Sequence, residues 1–182
     1  MADYTDNGLL ASIKALEKVV MPALDSADPL ATEQLRLVSG FLKFLRARME
    51  HGYPRQLFEL DHALRLAQQV AADAGLLNSP ELSQRLAAAV AQGQVVQAQA
   101  VPLPADVRSA AAELATVVAG VARAAGSADA PLRRRIEQQV MAGSKRWVEM
   151  QRAWFVPMGF DLRPDELPPI DQALYWPGST HN

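Results

Sequence analysis

The sequence predicts an all-α fold: a bundle of about six helices with a Pro-rich, aromatic C-terminal arm packed on it. Three observations predict it. Apolar residues recur at helical spacing through nearly every segment, and almost none alternates with the two-residue period of a half-buried strand. Capping residues followed by proline, Asp28-Pro29 and Ser79-Pro80, mark places where one helix has ended and another starts. The stretch from Pro157 to Asn182 holds five prolines in 26 residues, too many for a long helix. At 182 residues, 49% hydrophobic and 21% charged, the chain is long enough for one domain with a real core, and its balance is globular. Residues 1–156 are expected to form the bundle and 157–182 the arm, as parts of one domain.

The first helix carries Leu9, Ile13, Leu16, Val20 and Leu24 on one stripe, with Asp6 as a cap. Pro22 lacks an amide donor and should kink or stop it near Met21. The second helix, from Pro29 to about Glu50, has a seam of Leu35, Val38, Leu42, Leu45 and Met49, widened by Phe41 and Phe44. "HGYP" then breaks the pattern. The third helix sets Leu57, Leu60, Leu64, Ala67, Ala71 and Ala74 on one side, with Gly75 as its C-cap. These three, joined by short turns, should form an up-down unit.

The fourth helix, with Leu82, Leu86 and Val90, is expected to lose its hold at Gly93, where "QGQVVQAQAVPLPAD" reads as an internal linker. The fifth carries Val107, Ala111, Leu114, Val118, Val121 and Ala125 and is rich in alanine, so its neighbours can approach closely. Asp129 caps the sixth, whose Leu132, Ile136, Val140, Gly143, Trp147, Met150 and Trp154 run up to Pro157. The arm keeps Phe160, Leu162, Leu167, Ile170, Leu174, Tyr175 and Trp176, more large apolar groups than a solvated tail carries. It should be ordered, with a short helix near Pro169 to Tyr175.

Composition excludes several function classes. A net charge of −2 offers no phosphate-seeking surface, so nucleic acid is not an expected partner. The chain has no cysteine, which removes disulfides, thiolate metal sites and cysteine nucleophiles. The opening "MADYTDNGLL" has no basic n-region and does not read as a signal peptide. The least charged run, Leu114 to Ala122, is far shorter than the ~20 apolar residues of a membrane span. A cytoplasmic location is expected, with no membrane contact.

Glu59-x-x-His62 has the spacing of a di-metal half-site, but such sites take two Glu-x-x-His pairs and the chain offers one. A turn at "HGYP" would also leave His51 about 10 Å from His62 along the helix axis. The pair therefore reads as a half-exposed polar contact flanking the apolar seam, and a metal-dependent enzyme using Glu59 and His62 stands only as a third reading. No serine lies in a G-x-S-x-G elbow, and "AGSKRW" lacks the glycines of a phosphate loop. No cofactor and no catalytic residue is expected.

Charge and aromatic residues concentrate in the last third. Arg133, Arg134 and Arg135 open the sixth helix, at the end where cations are mildly unfavourable and an anion is welcome. Lys145 and Arg152 extend the positive charge, and Trp147, Trp154, Tyr175 and Trp176 cluster near them. Arginine with aromatics is the composition of interface anchors. The acidic arm, with Asp161, Asp165, Glu166 and Asp171, is complementary to that basic helix and could fold back onto it.

"LLASIKALEKVVMPALDSADPLATEQLRLVSGFLKFLRARMEHG", followed by "ELSQRLAAAVAQGQ", resembles a family of small, uncharacterised bacterial helical proteins. Members are often encoded beside acyl-CoA dehydrogenases and aminoglycoside-phosphotransferase-like kinases. The resemblance spans Gly8 to Gly93, rests chiefly on Pro22, Leu24 and Gly93, and implies an accessory role in bacterial metabolism. The expected function is a non-catalytic interaction or accessory protein, an oligomer or partner-binding subunit, with Arg133, Arg134, Lys145, Arg152, Trp147, Trp154, Tyr175 and Trp176 as the contact set. The alternative is a helical bundle that binds a small acyl or CoA-like anion with Arg134, Lys145 and Arg152 beside Trp147 and Trp154.

Overall fold

The computed structural model describes residues 4–24 and 28–175, and among them every regular element is helical. No helix among the described residues is long and apolar enough to cross a membrane. The chain divides into two compact units: Met1–Gly52 with Gln151–Ile170, and Tyr53–Met150 with Asp171–Asn182. The sequence predicts the first three helices as one up-down unit. In the folded chain the first two helices pair, and the third belongs to the other unit.

In the first unit, α1 (Tyr4–Ala15) runs through a π-helical turn (Leu16–Val20) into a last turn (Met21–Ala23). The widened turn falls just before Pro22, which has no N–H to continue the α-helical ladder. The next helix, α2 (Pro29–Arg48), starts where the sequence predicts, with the Asp28 carboxylate accepting the Ala31 N–H at 2.9 Å. The two helices form an antiparallel hairpin. Arg46 donates to both oxygens of Asp6 at 2.6 and 3.0 Å, and Ser39 donates to Glu17 at 2.9 Å. Asp6, expected as a cap, sits inside α1 and serves as Arg46's partner instead.

A 3₁₀ turn (Met49–His51) leads into the third helix, α3 (Gly52–Ala74). After it come α4 (Pro80–Gln97), α5 (Pro104–Ala125), α6 (Ala130–Phe155) and the short α7 (Ile170–Leu174). The last turn of α6 completes the first unit. There Phe44 meets Trp154 edge-on at 6.2 Å and stacks on Phe155 at 5.6 Å. Arg48 donates to the carbonyls of Ala153 and Trp154 at 3.0 and 2.8 Å, satisfying two carbonyls a helix end leaves without partners. Gly159 then takes φ 76°, a left-handed conformation open to glycine at little cost. The arm folds back on α6 as its acidic character suggested: Arg152 grips Asp161 with two bonds of 2.9 Å.

The second unit is an up-down arrangement of α3, α4, α5 and most of α6. Leu60, Leu64 and Val70 of α3 meet Leu86 and Val96 of α4, Leu114 and Val121 of α5, and Ile136 of α6 in one buried cluster. Each such side chain contributes about 1.5–3 kcal/mol when fully buried. Gly93, expected to end the fourth helix, lies buried within it; α4 continues to Gln97, and the linker shrinks to residues 98–103. The glycine is there for proximity. A Cβ at 93 would stand 2.8 Å from Leu64 Cδ2 and 3.0 Å from Leu114 Cδ1, so its bare backbone lets α4 settle between α3 and α5.

Gly143 on α6 approaches α3 as tightly, with a Cβ position 2.9 Å from Leu66 Cδ1, but Leu66 is only half buried and free to turn aside. Gly93→Ala should therefore destabilise by about 1 kcal/mol, because overpacking outweighs the gain in helix propensity. Gly143→Ala should be neutral or stabilising by up to about 1 kcal/mol. Thermal midpoints of the two variants check this pair, and equal midpoint shifts of the same sign would contradict it.

Candidate functional site

Helix α5 has one bulky face and one small face. Val107, Leu114, Val117 and Val121 are buried. On the other side Ala112, Ala115, Ala119 and Ala122 stay exposed, bracketed by Arg108 and Arg123. These alanines cannot reach across to α6, and a groove of about 740 Å³ opens between α3, α5 and α6. Fifteen residues separate the two arginines, so they stand about 22 Å apart along the axis. Val140, Ser144 and Trp147 of α6 form the facing wall, and α3 supplies Glu59, His62, Ala63 and Leu66.

The two ends differ in electrostatics. At the Arg108 end, that guanidinium reaches the Gln56 oxygen at 3.4 Å, and the Glu59 carboxylate is held by Arg55 at 2.9 Å. His62 packs against two rings, stacked on Phe58 (6.1 Å, 8°) and tilted against Trp147 (5.2 Å, 30°). It is buried rather than half-exposed, packed in a three-ring cluster in which Phe58 and Trp147 also stack on each other at 6.4 Å. Burial lowers its pKa, against a smaller upward pull from the Asp61 carboxylate. At the other end Arg123's guanidinium makes no hydrogen bond or ion pair among the described residues. The Ser144 hydroxyl is spent on the Val140 carbonyl at 2.8 Å and is no nucleophile in waiting.

The buried acids of this unit are structural links. Asp61 accepts from Arg65 at 2.8 Å and from Gln97 at 2.9 Å, joining α3 to α4. Asp73 accepts from Arg135 and Gln139 of α6, with bonds of 2.9 to 3.1 Å. Each carboxylate is fully engaged, which fixes helix register from inside the unit. Among the described residues no three His, Asp or Glu side chains come together in a way that could hold a metal ion.

Of the contact set read from the sequence, only Trp147 lines the groove. Arg133 stands 3.9 Å from Glu137, and Arg134 and Lys145 point to solvent. Arg152 and Trp154 belong to the first unit, where one binds Asp161 and the other packs on Phe44. Tyr175 is exposed, and its carbonyl, with those of Gln172 and Ala173, accepts from Arg146, which so caps α7. Trp176 lies outside the described residues. Sequence reasoning missed Arg108 and Arg123. Their signal was present as alanines at helical spacing between two arginines, on the face beside the heptad, whose Ala111 and Val118 also line the groove.

The first unit carries a second feature. The predicted seam of α2 is not buried as a whole: Phe44 is, Leu35, Leu42 and Met49 are half-buried, and Val38, Phe41 and Leu45 are exposed. At about 100° per residue, Leu37, Leu30, Phe41, Gln34, Leu45 and Val38 fall within one arc of about 100°, uncharged from Leu30 to Leu45; Arg48, which continues the arc at the helix end, is turned onto the Trp154 carbonyl. Its five large apolar side chains are 39% to 69% exposed. An arc of that width normally faces a core.

No protein-family model, curated protein or solved structure matches the chain.

The Arg152–Asp161 contact generates a pH prediction. Hydrogen bonds from Arg152, and then from the Arg163 amide, hold the Asp161 carboxyl at about 2, against an ordinary value of 3.8. A group lowered on folding stabilises the fold above its unfolded pKa and loses that contribution as pH falls through the folded one. The arm should therefore loosen between pH 3.8 and about 2. Asp161→Asn should produce the same loosening at neutral pH. Amide exchange at Arg163 reads both effects, and exchange unchanged by acid or by substitution would contradict the assignment.

Proposed function

We propose that this protein is a non-catalytic helical interaction module that works by burying the apolar arc of α2 against a second copy of itself. The arc carries the reading. Exposed apolar patches of this kind mark interaction surfaces. Leu30 and Leu45 lie fifteen residues apart, so the arc is about 22 Å long, four turns of helix available for packing. Over that length it contains no charge that would select a partner of opposite sign, and an uncharged apolar stripe is complementary to its own copy, as a two-fold interface requires. Glu33 lies just outside one edge of the arc, whereas Arg36 and Lys43 face away from it, Lys43 pairing with Glu17 of the π-helical turn. Phe160 and Leu162 of the arm add two more exposed large apolar side chains to the same unit.

The buried carboxylates support the non-catalytic part of the reading, since their oxygens are committed to helix-to-helix hydrogen bonds. An accessory role remains the setting that suits such a module.

Light scattering across a concentration series tests the proposal. The wild-type chain should show the mass of a dimer. Phe41→Glu and Leu37→Glu should shift it to a monomer with unchanged helical circular dichroism, because both positions are solvent-facing in the single chain. A wild-type monomer at high concentration, or full-size assemblies of both variants, would overturn the proposal.

A further inference from the structure

The groove of the second unit points to a different partner from the α2 arc, and we infer that it binds an elongated amphiphile with one anionic head. Its volume of about 740 Å³ lies within the range of small-molecule sites, which are mostly apolar with a few placed polar groups. The floor and walls have that composition: alanines of α5, Leu66 of α3, and Val140 and Trp147 of α6. Its length argues for an extended ligand rather than a compact one.

Charge sets the direction. The groove's lining includes one carboxylate, Glu59, and the Arg108–Gln56 contact puts it at the Arg108 end. An anion there would meet Glu59, and Arg108 is already shared with Gln56. At the far end Arg123 is a cation with no hydrogen bond or ion pair among the described residues and no acidic neighbour in the groove's lining. The head therefore sits at Arg123, and the apolar body runs along Ala119, Ala115 and Ala112 toward Trp147. A cationic head would find no carboxylate at the Arg123 end. A short anion would leave the alanine face wet.

Dodecanoate, titrated calorimetrically into the full chain with tryptophan emission followed in parallel, tests the inference. Binding should saturate with one site per chain. Arg123→Glu should weaken it about tenfold or more, the loss of one charge-assisted hydrogen bond. Ala119→Phe, which fills the groove from an exposed position, should weaken it by about as much. Lys145→Glu, outside the groove, should change nothing, and dodecyltrimethylammonium should not bind. Ala115→Leu offers a second way of filling the groove should Ala119→Phe disturb the helix. No saturable binding, equal binding of the cationic amphiphile, or undiminished affinity in both Arg123→Glu and the groove-filling variants would each overturn the inference.

Discussion

Helix α5 can bury only one of its faces, and much of the second unit follows from which side chains it places on each. Val107, Leu114, Val117 and Val121 fill the centre, where Gly93 lets α4 come close enough to seal it. The opposite face is alanine, which stabilises helix without demanding a neighbour. It can therefore stay exposed at little cost, and the space above it becomes a groove. Bulky residues at 112, 115 and 119 would require a fifth helix to cover them. Alanines leave room for something smaller.

The two units use apolar surface in contrasting ways. On α5 the exposed face is small and lies in a recess bounded by arginines. On α2 the exposed face is large, convex and uncharged. A recess excludes water around a narrow ligand, whereas a convex stripe is covered only by another surface of similar length. Ion pairs and hydrogen bonds hold each scaffold in register. Asp6 with Arg46, and Glu17 with Ser39, tie the α1–α2 hairpin, while Asp61 and Asp73 lock α3 to α4 and α6. Arg48 and Arg146 play a third role, donating to carbonyls at helix ends that the helix itself leaves without partners.

Helix positions were legible in the sequence because their determinants are local. Asp28 and Asp129 cap as read, the α5 heptad is buried as read except for the half-buried Ala111, and the short arm helix forms within the stretch expected. What escaped depended on neighbours. Gly93 reads as a breaker by propensity, yet its bare backbone is required by Leu64 and Leu114, residues far away in sequence. The α2 seam reads as buried because periodicity reports that a helix has an apolar face, not that a partner exists for it. His62 reads as half-exposed because the Trp147 ring that packs on it comes from α6, far away in sequence. The groove is hard to read from sequence because a charge run such as Arg133 to Arg135 stands out, whereas the cations that line it, Arg108 and Arg123, are isolated in sequence and share a helix face.

The absence of native cysteine makes the central claim directly measurable, since any introduced thiol is unique. Single cysteines placed along α5 at 110, 112, 114, 115, 117, 119 and 121 can be followed by their rate of alkylation in the folded protein. If one face of α5 is packed and the other is an open alanine recess, positions 112, 115 and 119 react fast, and 110, 114, 117 and 121 react slowly. Uniform rates along the helix, or protection at 112, 115 and 119 equal to that at 114, would contradict the two-faced helix on which the groove depends.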